Sequence, residues 1–180
     1  IVSACKRIIN GEFHDQFIVE IIQGGAGTST NMNANEVIAN VALEMIGKEK
    51  GDYESISPLM HVNMSQSTND TYPTALLVGF LKEYDPLLEA IKALSDSFHA
   101  KGVEFAGVIK MGRTQLQDAV PMSLGQEFTA FGNTLLDDIK RLNEMSQLFL
   151  EVNLGATAIG TGINSHLDYP KIAVEALAEL

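Results

Sequence analysis

Apolar positions recur every three or four residues along most of the chain, separated by short runs rich in Gly, Asn, Ser and Thr. That period predicts helices throughout. Ile1, Cys5, Ile8 and Ile9 share helical spacing, and Asn10-Gly11 supplies a stop. Ala34, Val37, Ile38, Val41, Ala42, Met45 and Ile46 form a second stripe, capped by Asn33 or Asn35 and closed by Gly47. A third helix begins near Asn69-Asp70, holds Pro73 in its first turns and carries Leu76, Leu77 and Phe80. Pro86 then marks either the first position of a new helix capped by Asp85 or a kink in one long helix. Beyond it, Leu87, Ile91, Leu94 and Phe98 line up as a packed seam.

Residues 102–122 break this rhythm. Val103, Phe105, Val108 and Ile109 around Gly107 predict at most a short β-hairpin near 103–111. Ser123 and Gln126 then make a capping box. The helix they open carries Leu124, Phe128, Phe131, Leu135, Ile139, Leu142, Met145 and Phe149. A helix of that length suits an elongated bundle that continues into other chains. Ile172, Ala173, Ala176, Leu177 and Leu180 set up a final helix, with Pro170 near its start. The expected fold class is all-α, built of long antiparallel helices. Both ends read as cut inside helical patterns, so the chain is expected to be an internal piece of a longer protein.

Composition narrows the function. The 180 residues are 46% hydrophobic and 19% charged, enough for a sizeable core and wrong for a disordered chain. Lys and Arg number 12 against 23 Asp and Glu, a net charge of −11, which disfavours nucleic acid and anionic membranes as partners. A single cysteine, Cys5, allows no internal disulfide and is compatible with a reducing, cytoplasmic compartment. No apolar run is long enough for a membrane span. His14, His61, His99 and His166 are scattered without ligand spacing, so no metal site is expected.

Candidate chemistry sits in four joints: Gly24–Asn33, Ser65–Asp70, Gly112–Asp118 and Gly155–Asn164. Each is rich in short neutral hydroxyl and amide side chains. The first three are expected to lead into helices, where side-chain donors and helix N-terminal N–H groups together suit a carboxylate. Taken singly, such residues are ordinary helix caps and turn glycines. Gly24–Gly27 lacks the Gly-Lys-Ser/Thr ending of a phosphate loop, and Gly160-Thr161-Gly162 lacks the third glycine of a dinucleotide fingerprint.

In combination the joints are more specific. His61-Val62-Asn63-Met64-Ser65-Gln66-Ser67-Thr68-Asn69-Asp70-Thr71-Tyr72-Pro73-Thr74 resembles a signature segment of the aspartase/fumarase superfamily. Gly27–Glu36 resembles the segment before it, and Gly112–Pro121, with Gly125-Gln126-Glu127, the segment after it. Glu151–Gly162 resembles the aspartase branch of that superfamily, where fumarases more often show Gly-Gly-Thr. The likeness runs through essentially the whole chain, in order.

That resemblance implies an all-helical homotetramer with a shared central bundle, each active site assembled from three subunits. It implies a domain change at residues 66–67, with 1–66 ending an N-terminal domain and 67–180 beginning the central bundle. The implied reaction is reversible elimination of ammonia from L-aspartate to give fumarate, with no cofactor. Thr28, Ser67, Thr68, Asn69, Thr114 and Gln115 would bind substrate. The family's base is a serine on a Gly/Ser-rich mobile loop that also carries a substrate-binding lysine. Residues 1–180 hold no matching segment, so no catalytic residue is assigned, and the isolated piece is expected to be inactive. Two departures stand out. Fumarases and some aspartases have His where this chain has Gln115, which argues against hydration chemistry. Ser57-Pro58-Leu59-Met60 replaces a frequent His-Pro-Asn-Asp run. The alternatives are a fumarate hydratase of the same fold and a helical assembly module without activity.

Overall fold

The computed structural model describes residues 1–179. Leu180, the last position of the expected terminal stripe, lies outside them. Five α-helices and one β-hairpin follow in order: α1 (Val2–Ile9), α2 (Thr28–Met45), α3 (Thr68–Glu104), β1 (Ile109–Thr114), β2 (Gln117–Ser123), α4 (Leu124–Ser146) and α5 (Tyr169–Leu177). The chain divides into two compact units, one of residues 1–77 with 152–180 and one of residues 78–151. Helix α3 begins in the first and ends in the second.

In the first unit α1 packs on α2. Ala4, Val37, Val41 and Ala42 form a small core, with Ile8, Phe13, Ile38 and Ile56 against it. Cys5 is half-buried beside Ala4, and this burial pushes its thiol pKa up, consistent with a neutral packing group. The Asn10-Gly11 stop holds, as does Gly47, whose N–H and that of Lys48 satisfy carbonyls of the last turn of α2. The start of α2 differs from expectation. Neither Asn33 nor Asn35 caps it. The helix begins at Thr28 behind Gly27, which takes a left-handed φ of 83°. Asn33 instead lies within the helix: its carbonyl accepts from the N–H groups of Ile18 and Val19, and its amide donates to Gln16. A wide helical turn at Pro58–Val62 follows, opened by Ser57, whose hydroxyl accepts from the N–H of Met60.

In the second unit α3 and α4 run antiparallel. Phe80 meets Phe149 at 5.9 Å between ring centroids, Tyr84 donates to Asn143, and Phe98 meets Phe131 at 5.7 Å, so pairing descends one helix as it climbs the other. Phe105 and Phe128 close the far end. Small residues let the backbones approach: a side chain on Gly132 would strike the His99 ring, and one on Gly125 would strike the backbone of Gly102 and Ala106. Ser95, fully buried, donates to the Gly132 carbonyl at 2.9 Å. Helix α3 is continuous for 37 residues through Pro86, which settles the two readings of that proline in favour of one long helix. The expected seam is only partly covered, with Leu87 and Leu94 still exposed.

The hairpin is real but displaced. It spans 109–123 rather than 103–111, because α3 continues to Glu104 and consumes Val103. Its two-residue turn is Gln115-Leu116, both left-handed at φ 49° and 64°. That is the twist-matching hairpin turn, made here without the Asn or Gly that usually announces it. The capping box on α4 forms as expected, with Ser123 and Gln126 exchanging bonds of 2.9 and 3.0 Å. The regular helix ends at Ser146, and a tighter turn, Gln147–Leu150, carries Phe149.

Candidate functional site

The head of α3 is built by its own sequence. Ser67 precedes the helix, and its hydroxyl accepts from the N–H of Asn69 at 3.2 Å. Asp70, one turn on, reaches back to the N–H of Ser67 at 2.9 Å. The pair caps the helix reciprocally, the serine oxygen on the second N–H of the helix and the aspartate on the N–H of Ser67. Because the Ser67 oxygen accepts from the helix, its own O–H is left to donate. Thr71 and Thr74 turn their hydroxyls onto carbonyls four residues back, so they present no donor to a ligand.

Amide side chains from α2 hold this head in place. Asn31 donates to the Thr68 hydroxyl at 2.9 Å and to the Asn63 carbonyl oxygen at 3.2 Å. Buried Asn35, one turn further along α2, donates to the same Asn63 oxygen at 3.0 Å. Asn63 donates in turn to the Gln66 carbonyl. Thr68, accepting from Asn31, likewise donates its O–H to no group among the described residues. The Tyr72 ring lies where a side chain on Gly27 would stand, which brings the start of α2, and Thr28 with it, against the first turn of α3. Two helix N-termini therefore approach each other in the first unit, and their partial positive ends add to the neutral donors.

The fourth joint packs on the same head. Asn69 donates to the Ala158 carbonyl at 2.8 Å, Asn153 donates to the Asn69 carbonyl at 2.9 Å, and the N–H of Thr157 donates to Asp70 at 2.8 Å. Tyr169, at the start of α5, has its phenol pushed above its ordinary range, first by burial and then by the Asp70 charge.

The structure thus gathers Thr28, Ser67, Thr68 and Asn69 within the first unit. Thr114 and Gln115 belong to the second, at the tip of the hairpin, where both are exposed. This corrects the expectation that the third joint leads directly into a helix: a full strand, β2, intervenes before α4. Sequence reasoning missed Asn31, Asn35, Asn63 and Thr157. The spacing of Asn31 and Asn35, one helical turn apart on α2, was the available signal. Among the described residues no group of three or more His, Cys, Asp or Glu could hold a metal ion, and no helix is long and apolar enough to cross a membrane.

A family model described as lyase matches residues 1–180. The chain belongs to this lyase family. The superfamily likeness read from the four joints extends along the whole chain. It is 62% identical to the aspartate ammonia-lyase of Pseudomonas aeruginosa over an alignment covering 100% of this chain and 38% of that protein. Among solved structures, a fumarate lyase:delta crystallin from Brucella melitensis, bound to cobalt, is 54% identical with a TM-score of 0.85, over 99% of this chain and 40% of that one. A class II fumarase from Schistosoma mansoni is 34% identical with a TM-score of 0.78, over 99% of this chain and 38% of that one. The chain spans 38% of the length of the curated relatives it matches.

Proposed function

We propose that the lyase chain is the donor-bearing part of an aspartate ammonia-lyase, and that the whole protein eliminates ammonia reversibly from L-aspartate to give fumarate. The observation that carries this is the head of α3, where Ser67 and Thr68 keep free hydroxyl protons beside two helix N-termini. The elimination places a second negative charge on a substrate carboxylate as a proton leaves the adjacent carbon. Fixed neutral dipoles stabilise such charge without a salt bridge. Thr28, Ser67, Thr68 and Asn69 are the substrate donors of one segment pair, and Thr114 with Gln115 is the contribution of the hairpin. The base and a substrate lysine come from a loop with no counterpart in residues 1–180, so these residues bind and do not abstract the proton. The isolated chain is accordingly inactive.

The homology with aspartate ammonia-lyases at 62% identity supports the substrate. The homotetramer implied by the family resemblance, with its bundle beginning near residue 67, belongs to the same reading. A single half-buried cysteine is consistent with a cytoplasmic site of action. The likeness to a class II fumarase favours hydration as the second reading. Gln115 weighs against it, because a carboxamide is neutral at every working pH and cannot activate water as a base. Assay of the whole protein decides between them. Fumarate absorbance should rise with L-aspartate and stay flat with L-malate, and comparable turnover of malate would transfer the assignment to a fumarate hydratase.

A further inference from the structure

We propose that Asp70 is a positioning residue that latches the 153–162 loop onto the head of α3, and so sets the donors that Ser67 and Asn69 present. The second half rests on the reading that this head binds a substrate carboxylate.

Asp70 is completely buried and makes no ion pair among the described residues. A buried carboxylate without a cation is costly unless its oxygens are satisfied by strong donors. Each oxygen of Asp70 has one: Oδ1 takes the Ser67 N–H and Oδ2 takes the Thr157 N–H. The first bond is a local cap. The second spans 87 positions in sequence and has no capping role.

Thr157 shows why the loop needs holding. It is β-branched yet sits at φ 60°, a conformation such residues rarely adopt. Its hydroxyl is buried with no partner among the described residues, so its own side chain offers nothing in return. What keeps it there is its N–H on Asp70, flanked by the Asn69–Ala158 and Asn153–Asn69 bonds. Gly155 is seated against the Pro170 ring at the other side of the loop. The consequence for binding is specific. Asp70 occupies the Ser67 N–H, and the loop occupies one amide proton of Asn69. A ligand at this head therefore meets the Ser67 hydroxyl and the remaining Asn69 proton in fixed directions. Without the latch, Asn69 loses its carbonyl partner and its orientation.

The test uses the whole protein. Asp70→Asn keeps the size of the side chain but leaves an NH₂ group facing a backbone N–H, so one of the two bonds is lost. Hydrogen exchange should accelerate at least tenfold in the 153–164 peptide, with α1 and the second half of α2 unchanged. The KM for L-aspartate should rise about tenfold. A purely capping role predicts otherwise: faster exchange confined to 67–74. Unchanged exchange at 153–164 in Asp70→Asn overturns the latch, and loosened exchange with an unchanged KM overturns the positioning role. Should Asp70→Asn fail to fold, the wild type still decides, since rapid exchange of its 153–164 peptide contradicts a latched loop. If the wild type deaminates no aspartate, the proposed activity falls, while the exchange arms test the latch independently.

Discussion

Valine in place of Thr114 keeps the shape of the side chain and removes its donor. Thr114 is exposed at the hairpin tip and pairs in register with Gln117, so little folding energy depends on its hydroxyl. In the whole protein, Thr114→Val should therefore cost about 2–4 kcal/mol of transition-state stabilisation, the usual range for removing one preorganised donor. It should be read as kcat/KM for aspartate with unfolding unchanged. Near-normal deamination would remove Thr114 from the binding set. At this scale, what the sequence discloses depends on how far away the partner lies. Ser67 opens a helix, as its Ser-x-x-Asp spacing implies, because both members of the cap are within one turn. Asn31, Asn35 and Asn63 give no such sign. The bonds that join them to one another and to Thr68 span 28 to 37 positions, and only the one-turn spacing of Asn31 and Asn35 hints at lateral donors rather than caps. The expected caps at Asn33 and Asn35 failed for this reason: both side chains are committed sideways.

Elements were legible where period and cap agree. The start of α4 carries both, an apolar stripe and a reciprocal cap, and forms where expected. Ser123→Ala should cost about 1 kcal/mol of stability by orphaning the Gln126 N–H. Denaturant titration should show a lower midpoint with an unchanged slope, and an unaltered midpoint would mean that water replaces the serine. Other elements hide because an ordinary residue takes an unusual conformation. Gln115 and Leu116 both go left-handed, so the hairpin turn has no Gly or Asn to betray it. The break was therefore placed too early, around Gly107. Pro86 misleads in the opposite direction. Proline removes one helical bond and crowds the preceding turn. Here Pro86 and Lys82, whose carbonyl loses its donor, are both exposed, so water can satisfy the group and the helix continues.

On the scale of the whole molecule, the apolar content read from the sequence does not all go inside. Phe80, Leu87, Leu94, Phe131, Met145 and Leu148, all on α3, α4 or the turn that follows, remain substantially exposed. The hydrophobic period revealed the helices but could not say which stripes this chain covers for itself, since an inward stripe and an intermolecular one share the same spacing. Apolar patches of this extent on paired long helices are a driving force for association. The net charge of −11 opposes it, but charge repulsion is screened by salt while burial of apolar surface is not. Purified residues 1–180 should consequently form a homo-oligomer that strengthens as ionic strength rises, measured by light scattering from low to physiological salt. The same sample should release no fumarate from millimolar aspartate, because on the proposed reading its copies supply substrate donors without the serine base of the family, and assembling more donors does not create one. A monomer at every ionic strength would show that the exposed stripes need a partner outside this chain. Measurable turnover by the oligomer would place a base within residues 1–180 and reopen the roles of its buried carboxylate, Asp70, and its exposed histidines.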